Sequence, residues 1–306
     1  MDVAIVKVEN LSHRYSSQWA IQDISFEINQ TGVLGLLGSN GAGKSTTMNI
    51  MCGVLKQTEG DIYIKGINTR IDPVEAKCHI GFLPQQPPLH PDLTVEEYLD
   101  YSARLRYIPH KEIPAAITEV VEKCGISHFR RRLIRNLSGG YQQRVGIAQA
   151  IIHNPDFIIL DEPTNGLDPN QIVEIRNLIK QIAQERTVIL STHILPEVQA
   201  TCEYIYMVEK GKMVFSGTVD EFDNYILPTT IRVTLLAHPT VEELTMIPGL
   251  VAAQHLGEMD YRLQFADARN MVDEIIETCG IHNWRLSQVY MEKSSLDVVF
   301  AELSKK

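Results

Sequence analysis

Residues 3–9 and 23–29 alternate between apolar and polar side chains, the period of a strand with one covered face. Thr31-Gly32 then turns the chain into the apolar run Val33 to Leu37, which has the length and composition of a strand buried on both faces. A glycine-rich loop follows, and the segment STTMNIMCGVL after Lys44 reads as a helix. The texture changes over residues 86–136. Pro84, Pro87, Pro88 and Pro91 precede TVEEYLDYSARLRY and EIPAAITEVVEKCG, whose apolar residues recur near every 3.6 positions. This pattern predicts a helical insertion, with a helical subdomain over about 86–150. The first pattern resumes with the strand DFIILDEP (156–163), a helix around 170–185 and the strand Thr187 to Leu190. Strands alternating with helices predict a mostly parallel sheet covered on both faces. Two short strands between Met207 and Phe215 flank Lys210-Gly211, a hairpin signal.

Pro228 marks the next boundary. Beyond it the order is strand (TIRVTLLA), helix (TVEELTM), strand (LVAAQHL), strand (YRLQFA), helix (ARNMVDEIIETCG) and strand (WRLSQVYM), then a short helix SLDVVFAELSKK. This βαββαβ order is that of a ferredoxin-like domain. The chain therefore divides into residues 1–225 and a small α+β domain over 229–306, with no internal repeat and no low-complexity segment.

Composition narrows the classes. Hydrophobic residues make up 44% and charged residues 22% of 306 positions, which excludes a disordered or fibrous chain. The 28 basic and 38 acidic side chains give a formal charge of −10, unfavourable for sequence-independent nucleic-acid binding, so no nucleic-acid partner is expected. No run approaches a membrane-spanning length, and Asp2, Lys7 and Glu9 interrupt the place of a secretory signal. Cys52, Cys78, Cys124, Cys202 and Cys279 are odd in number and scattered, the usage of reduced packing residues in an intracellular chain. The ten histidines show no metal-ligand spacing, so no transition metal is expected.

Gly38-Ser39-Asn40-Gly41-Ala42-Gly43-Lys44-Ser45 fits G-x-x-x-x-G-K-[ST] between a predicted strand and a predicted helix. Glycines let backbone N–H groups converge on phosphate oxygens, and the helix start adds its positive dipole end. Lys44 is placed to reach the β- and γ-phosphates and the Ser45 hydroxyl to ligate Mg²⁺; Thr46 follows in the same turn. A second element, Phe157-Ile-Ile-Leu-Asp161-Glu162, ends an apolar strand in two carboxylates at the sheet edge where ligands bind in open α/β folds. Asp161 is suited to Mg²⁺ and Glu162 to polarising water, although such a pair alone is usually a helix cap or a solvated turn. Third, Leu137-Ser138-Gly139-Gly140 precedes a helical run, with Ser138 suited to an N-cap and the glycines baring helix N–H groups. Alone, S-G-G reads as an ordinary capped helix; beside a P-loop, where one phosphate seldom needs two helix N-termini from one subunit, it reads also as a terminus for a partner's nucleotide.

With these residues in hand, the chain resembles the nucleotide-binding subunits of ATP-binding cassette (ABC) transporters over about residues 3–225. The match rests on six features in the family's order: Tyr15, the P-loop, Gln85 in GFLPQQ, LSGG at 137–140, ILDEP with GLDP at 159–169, and His193 in STH. The resemblance implies a P-loop ATPase cassette: an α/β core with a mostly parallel sheet, an antiparallel β subdomain and a helical insertion, plus the ferredoxin-like C-terminal domain. It implies ATP and Mg²⁺ as cofactors. Tyr15 would stack on adenine, though the residue alone reads as a half-buried strand-end tyrosine. Gln85 would touch Mg²⁺ or the attacking water, with Gln86 as the fallback. His193 would contact the γ-phosphate and orient Glu162, and Asp168 would lie in a loop crossing a dimer interface. Two cassettes pair head to tail in that family, so Ser138, Gly139 and Gly140 would complete the opposite subunit's site. The position after LSGG, often glutamine, is Tyr141, which predicts a modest change in ribose or interface contacts.

The implied protein is an ATPase that drives a separate integral membrane permease, held through it on the inner face of the cell membrane. Its second cassette is a further copy or a different chain. The C-terminal domain resembles those of bacterial exporters of drugs, lipids or polysaccharides. A soluble cassette ATPase acting on ribosomes or DNA is the alternative; one cassette per chain, no sustained heptads and acidic charge weigh against it. A P-loop kinase gives LSGG, Glu162 and His193 no role. Arg130, Arg131, Arg132 and Arg135 read as a solvated or structural face, or else as a contact for a partner or lipid headgroups.

Overall fold

The computed structural model describes residues 3–226, 229–292 and 296–304. Asp2, Pro228 and the ends of the expected last helix, Ser295, Lys305 and Lys306, lie outside them. The chain divides into two compact units, Met1–Val219 and Asp220–Lys306.

In the first unit β1 (Val6–Tyr15) and β2 (Gln18–Ile28) pair antiparallel, and both run well beyond the alternating stretches 3–9 and 23–29. The register shifts between Val8 and Leu11 and again before His13 and Arg14, and Asn10 and Asp23 adopt positive φ. Such bulges reset the in–out alternation without ending the pairing. The pattern in the sequence therefore stops early while the strand carries on to Tyr15.

The next strand, β3 (Gly32–Leu37), is buried at every position. After it come α1 (Lys44–Met51), β4 (Glu59–Ile64), β5 (Ile67–Asn68), α2 (Pro73–Cys78) and β6 (Ile80–Leu83). The elements from β4 to β6 are short and lack a clear period, so the sequence pattern leaves them unassigned. The insertion is helical, as the 3.6 period predicts: α3 (Val95–Leu105), α4 (Ile113–Lys123) and α5 (Gly139–Ile151). Thr94 caps α3 reciprocally with Glu97: Glu97 N–H donates to Thr94 Oγ1 at 3.3 Å, and Thr94 N–H to Glu97 Oε2 at 2.8 Å.

Then follow β7 (Phe157–Asp161), α6 (Pro169–Ala183), β8 (Thr187–Thr192), α7 (Leu195–Thr201), β9 (Tyr204–Glu209) and β10 (Lys212–Thr218), and α8 (Val219–Asp223) starts on the last residue of this unit. The six-stranded sheet has the order β10-β9-β3-β8-β7-β6, parallel except for β10. A four-stranded antiparallel sheet, β2-β1-β4-β5, packs with it. One core joins them, in which Val6, Ile24 and Ile62 meet Leu36, Met48, Phe157 and Ile189. Each fully buried aliphatic side chain there contributes roughly 1.5–3 kcal/mol. Lys210 and Gly211 both take positive φ, as a two-residue hairpin turn of the primed type demands.

The second unit holds β11 (Thr230–Leu235), α9 (Val241–Leu244), β12 (Leu250–Gly257), β13 (Asp260–Phe265), α10 (Met271–Ile281), β14 (Leu286–Glu292) and α11 (Leu296–Leu303). Its antiparallel sheet has the order β12-β13-β11-β14 over a core of Ile231, Val233, Leu263, Phe265, Ile275 and Trp284. This is the expected βαββαβ arrangement.

His153, after α5, carries a pH prediction. Its Nε2 lies 3.0 Å from the Ile80 carbonyl, and its Nδ1 is buried with no hydrogen-bond partner. Burial, helped by the Arg106 guanidinium and by His79, pushes its pKa down to about 4 from an ordinary 6.5. The unfolded chain therefore binds the extra proton first as pH falls. Stability is full above about 6.5 and declines toward pH 4, by of order 2 kcal/mol from this residue. Urea titrations should show His153→Gln losing distinctly less stability than the parent between pH 7 and pH 4.5. Equal slopes would contradict it.

Candidate functional site

Four parallel strands deliver the predicted groups to one edge of the sheet. β3 runs into the glycine-rich loop, β6 into Pro84-Gln85, β7 ends at Asp161 before Glu162, and β8 ends before His193. These strands are neighbours in the order β3-β8-β7-β6, so their carboxyl ends stand side by side.

Two glycines of the loop are required by space. A side chain at Gly38 would run into the Val208 carbonyl on β9. At Gly43, φ is 111° and a Cβ would meet Ile21 and the Ala20 carbonyl. The loop is thus held by backbone on two sides. Lys44 is 6% exposed, and its Nζ donates to the Gly38 and Ser39 carbonyls at 2.7 and 3.0 Å. The ammonium curls back over the loop that phosphate would fill.

A cavity of about 190 Å³ opens here, lined by Asn40, Gly41, Gly43, Lys44, Ser45 and Thr46 on one side and by Gln85, Asp161 and Glu162 from the strand ends. Gln85 lines it and Gln86 does not. A second cavity of about 470 Å³ shares Ala20 and Gly41 with the first and is lined by Tyr15 and Trp19. Tyr15 is 53% exposed and meets His13 edge-on, with ring centroids 4.7 Å apart. A polar phosphate-sized space thus adjoins one with two aromatic walls.

Burial lowers the Lys44 pKa, and the carboxylates of Glu162, Asp161 and Glu209 oppose that. Burial raises the Asp161 pKa, as does the nearby Glu162 charge, while Lys44 pulls it down. Both shifts have the same leading cause: burial penalises the charged form of each group. Ser45, Gln85 and Asp161 all line this cavity, and their side chains carry hard oxygen donors, the set that suits Mg²⁺. The residues present therefore fit Mg²⁺ with a nucleotide phosphate.

Glu162 has φ 47°, an uncommon conformation for a residue with a side chain, and its N–H donates to the Ser191 carbonyl at 3.0 Å. Its Oε1 lies 2.8 Å from His193 Nδ1. A carboxylate only accepts, so Nδ1 carries the proton. His193 itself does not line the phosphate cavity.

Other predicted residues stand elsewhere. Asp168 caps α6, its Oδ1 accepting from the Asn170 and Gln171 N–H groups at 3.0 Å each, and it does not line the cavity. Ser138, Gly139 and Gly140 are also outside it. Ser138 holds the N-cap position of α5 with extended backbone, but its side chain makes no capping bond. The capping expectation is therefore met in position and not in bonding. Ser138 and Gly139 are exposed, and a Cβ built at Gly139 meets nothing within 4 Å. Tyr141 packs against Phe129 with centroids 4.5 Å apart and perpendicular to within about 20°. The aromatic neighbours across the insertion explain the tyrosine better than a polar role.

Sequence reasoning misses two residues. Trp19 sits four positions after Tyr15, across a strand turn whose register only the bulges reveal. Glu209, 8% exposed at the end of β9, accepts from Ser39 Oγ at 2.7 Å and from Ser39 N–H at 3.2 Å. Their 170-residue separation leaves no local signal for that contact.

A phosphate cradle, a hard-donor set and a held carboxylate at one parallel-sheet edge define a P-loop NTPase. The ABC transporter family model matches residues 21–165. The bacitracin transport ATP-binding protein BcrA of Bacillus licheniformis is 38% identical over 69% of this chain and 68% of its own length. The linearmycin resistance ATP-binding protein LnrL of Bacillus subtilis is 28% identical over 98% of both chains. Among solved structures, the dimeric ATP-binding cassette MJ0796 in a post-hydrolysis state with ADP and Pi is similar at TM-score 0.63 and 29% identity, over 70% of this chain and 98% of that one. The chain belongs to this family: it is an ATP-binding subunit of the ABC transporter class and a Mg²⁺-dependent ATPase. No helix among the described residues is long and apolar enough to cross a membrane.

Lys44→Ala removes the one buried ammonium of the cradle, a charge-assisted contact worth about 10–100-fold in affinity. Calorimetry with MgATP should show that loss, and an unchanged affinity would contradict the cradle.

Proposed function

We propose that this chain powers export by a separate membrane permease, through ATP-driven pairing of two cassettes. The observation that carries the pairing is the division of phosphate-binding parts. Lys44, Asp161 and Glu162 share one cavity, while the N-terminus of α5 presents Ser138 and Gly139 to the surface with the cap bond unmade. A second cassette facing this one would bring that terminus to the first cassette's γ-phosphate.

In this reading Tyr15 and Trp19 hold the base, the loop N–H groups and Lys44 hold the phosphates, and Ser45, Gln85 and Asp161 hold Mg²⁺. Bound Mg²⁺ supplies charge neutralisation on the phosphates. Glu162 accepts the proton of the water whose oxygen attacks the γ-phosphorus, and the bond to the β-phosphate oxygen breaks to leave ADP. His193, bonded through Nδ1 to Glu162, keeps the carboxylate aimed and leaves Nε2 for the γ-phosphate. Asp168 fixes the start of α6 in the loop expected at the cassette interface.

For the permease the support is a groove of about 390 Å³, lined by Val54, Val74, Phe82, Leu105 and Tyr107 with Lys77 and Arg106. Val54, Leu105 and Tyr107 are 67%, 60% and 79% exposed. Helix α3 of the insertion ends there, beside the segment that leads to Gln85, so this surface suits a partner that must sense the nucleotide. Export is supported by the relatives named for bacitracin transport and linearmycin resistance, the latter matching through the C-terminal unit. We read that unit, residues 229–306, as an accessory domain.

Glu162→Gln should lower turnover by about 10²–10⁴-fold with MgATP binding retained. The tagged variant, incubated with MgATP and detergent-extracted native membranes, should capture a multi-span membrane protein identifiable by mass spectrometry. Capture of ribosomal or DNA-repair proteins in its place would contradict the transporter reading.

A further inference from the structure

We propose that Glu197 is a positioning residue for hydrolysis, a buried carboxylate that ties the loop behind Glu162 to the loop that carries His193. The inference rests on the reading of Glu162 as the base and His193 as its partner.

Glu197 lies in the first turn of α7 and is 2% exposed. A carboxylate so buried is costly unless its oxygens receive hydrogen bonds. Both do. Oε1 accepts from Thr164 Oγ1 at 2.6 Å and Oε2 from Thr192 Oγ1 at 2.9 Å, while Arg176 Nη2 stands 3.6 Å from Oε1. Thr164 is two residues beyond Glu162, and Thr192 immediately precedes His193. The Thr192 hydroxyl also accepts from the Ile194 N–H at 3.1 Å, so it grips the chain on both sides of the histidine.

These contacts close a ring. From Glu162 the path runs through Pro163 to Thr164, across Glu197 to Thr192, and through His193 back to Glu162 by the 2.8 Å Nδ1–Oε1 bond. Glu162 sits at φ 47°, a conformation that persists only where its surroundings over-determine it. The Ser191 carbonyl fixes its N–H from one side. Glu197 fixes the other side through Thr164, and it holds the histidine in the same grip. None of its atoms lines the phosphate cavity, so its effect passes through the residues it holds.

Glutamine at 197 keeps the shape but offers one acceptor where two hydroxyls donate. In the full chain, Glu197→Gln should lower kcat about tenfold or more, with KM for MgATP and the calorimetric ATP affinity within about twofold. Thr192→Val, which removes a hydroxyl the ring needs, should do the same, and Thr192→Ser, which restores it, should return kcat near the parent value. The Glu197→Gln, Thr192→Val double variant should be no slower than the slower single one, because both cut the same ring. Wild-type kcat in Glu197→Gln, or equal rates in Thr192→Val and Thr192→Ser, would overturn the proposal. So would kcat and ATP affinity falling together. The threonine pair keeps the test decisive if Glu197→Gln fails to fold. A Glu162→Gln variant with wild-type turnover would sink the base reading and this inference together. An inactive Glu162→Gln beside a fully active Glu197→Gln would sink this inference alone.

Discussion

Parallel hydrogen bonding among β3, β8, β7 and β6 is the constraint on which the rest of the molecule depends. Parallel neighbours all end at the same edge, so loops distant in sequence emerge together. The apolar character of β3, β7 and β8 makes that pairing stable, because strands buried on both faces have no alternative in water. Hydrophobic patterning and catalytic geometry are therefore one fact here. What buries Leu36, Ile159 and Ile189 also brings Lys44, Asp161, Glu162 and His193 to a common edge.

The chemistry then follows from charge held out of water. Lys44 is surrounded by Asp161, Glu162 and Glu209, and its ammonium leans on backbone carbonyls. An anionic nucleotide entering without a cation would meet those carboxylates unscreened. In the proposed function, the hard oxygen donors at Ser45, Gln85 and Asp161 would resolve this by holding Mg²⁺ beside the phosphates. Glu162, the base in the proposed function, is held in an uncommon conformation by contacts on both sides.

Much of this is legible in the sequence. The glycine-rich loop, the acid pair after an apolar strand and the βαββαβ order each show as local patterns, and their elements appear as expected. What escapes is whatever depends on register or on distant pairing. β1 reaches Tyr15 only through bulges that erase its alternation. β8 continues through Ser191 and Thr192 because its parallel neighbours pair with them, although both are polar. Trp19 and Glu209 join the site across turns and 170 residues of chain, with no local signal. Ser138 looks like a helix cap, yet its hydroxyl makes no cap bond, which no sequence pattern could tell.

The central claim is that the exposed N-terminus of α5 serves the nucleotide of a second cassette. Gly139 offers a direct test, since a Cβ built there meets nothing within 4 Å. Gly139→Asp should fold normally and place a carboxylate where the facing γ-phosphate would bind. The measurement is light scattering of Glu162→Gln and of the Glu162→Gln, Gly139→Asp double variant at saturating MgATP, with ATP affinity measured alongside. The account predicts a dimer for the first and a monomer that still binds ATP for the second. A double variant that dimerises as well as its parent, or that loses ATP binding as a monomer, would contradict it.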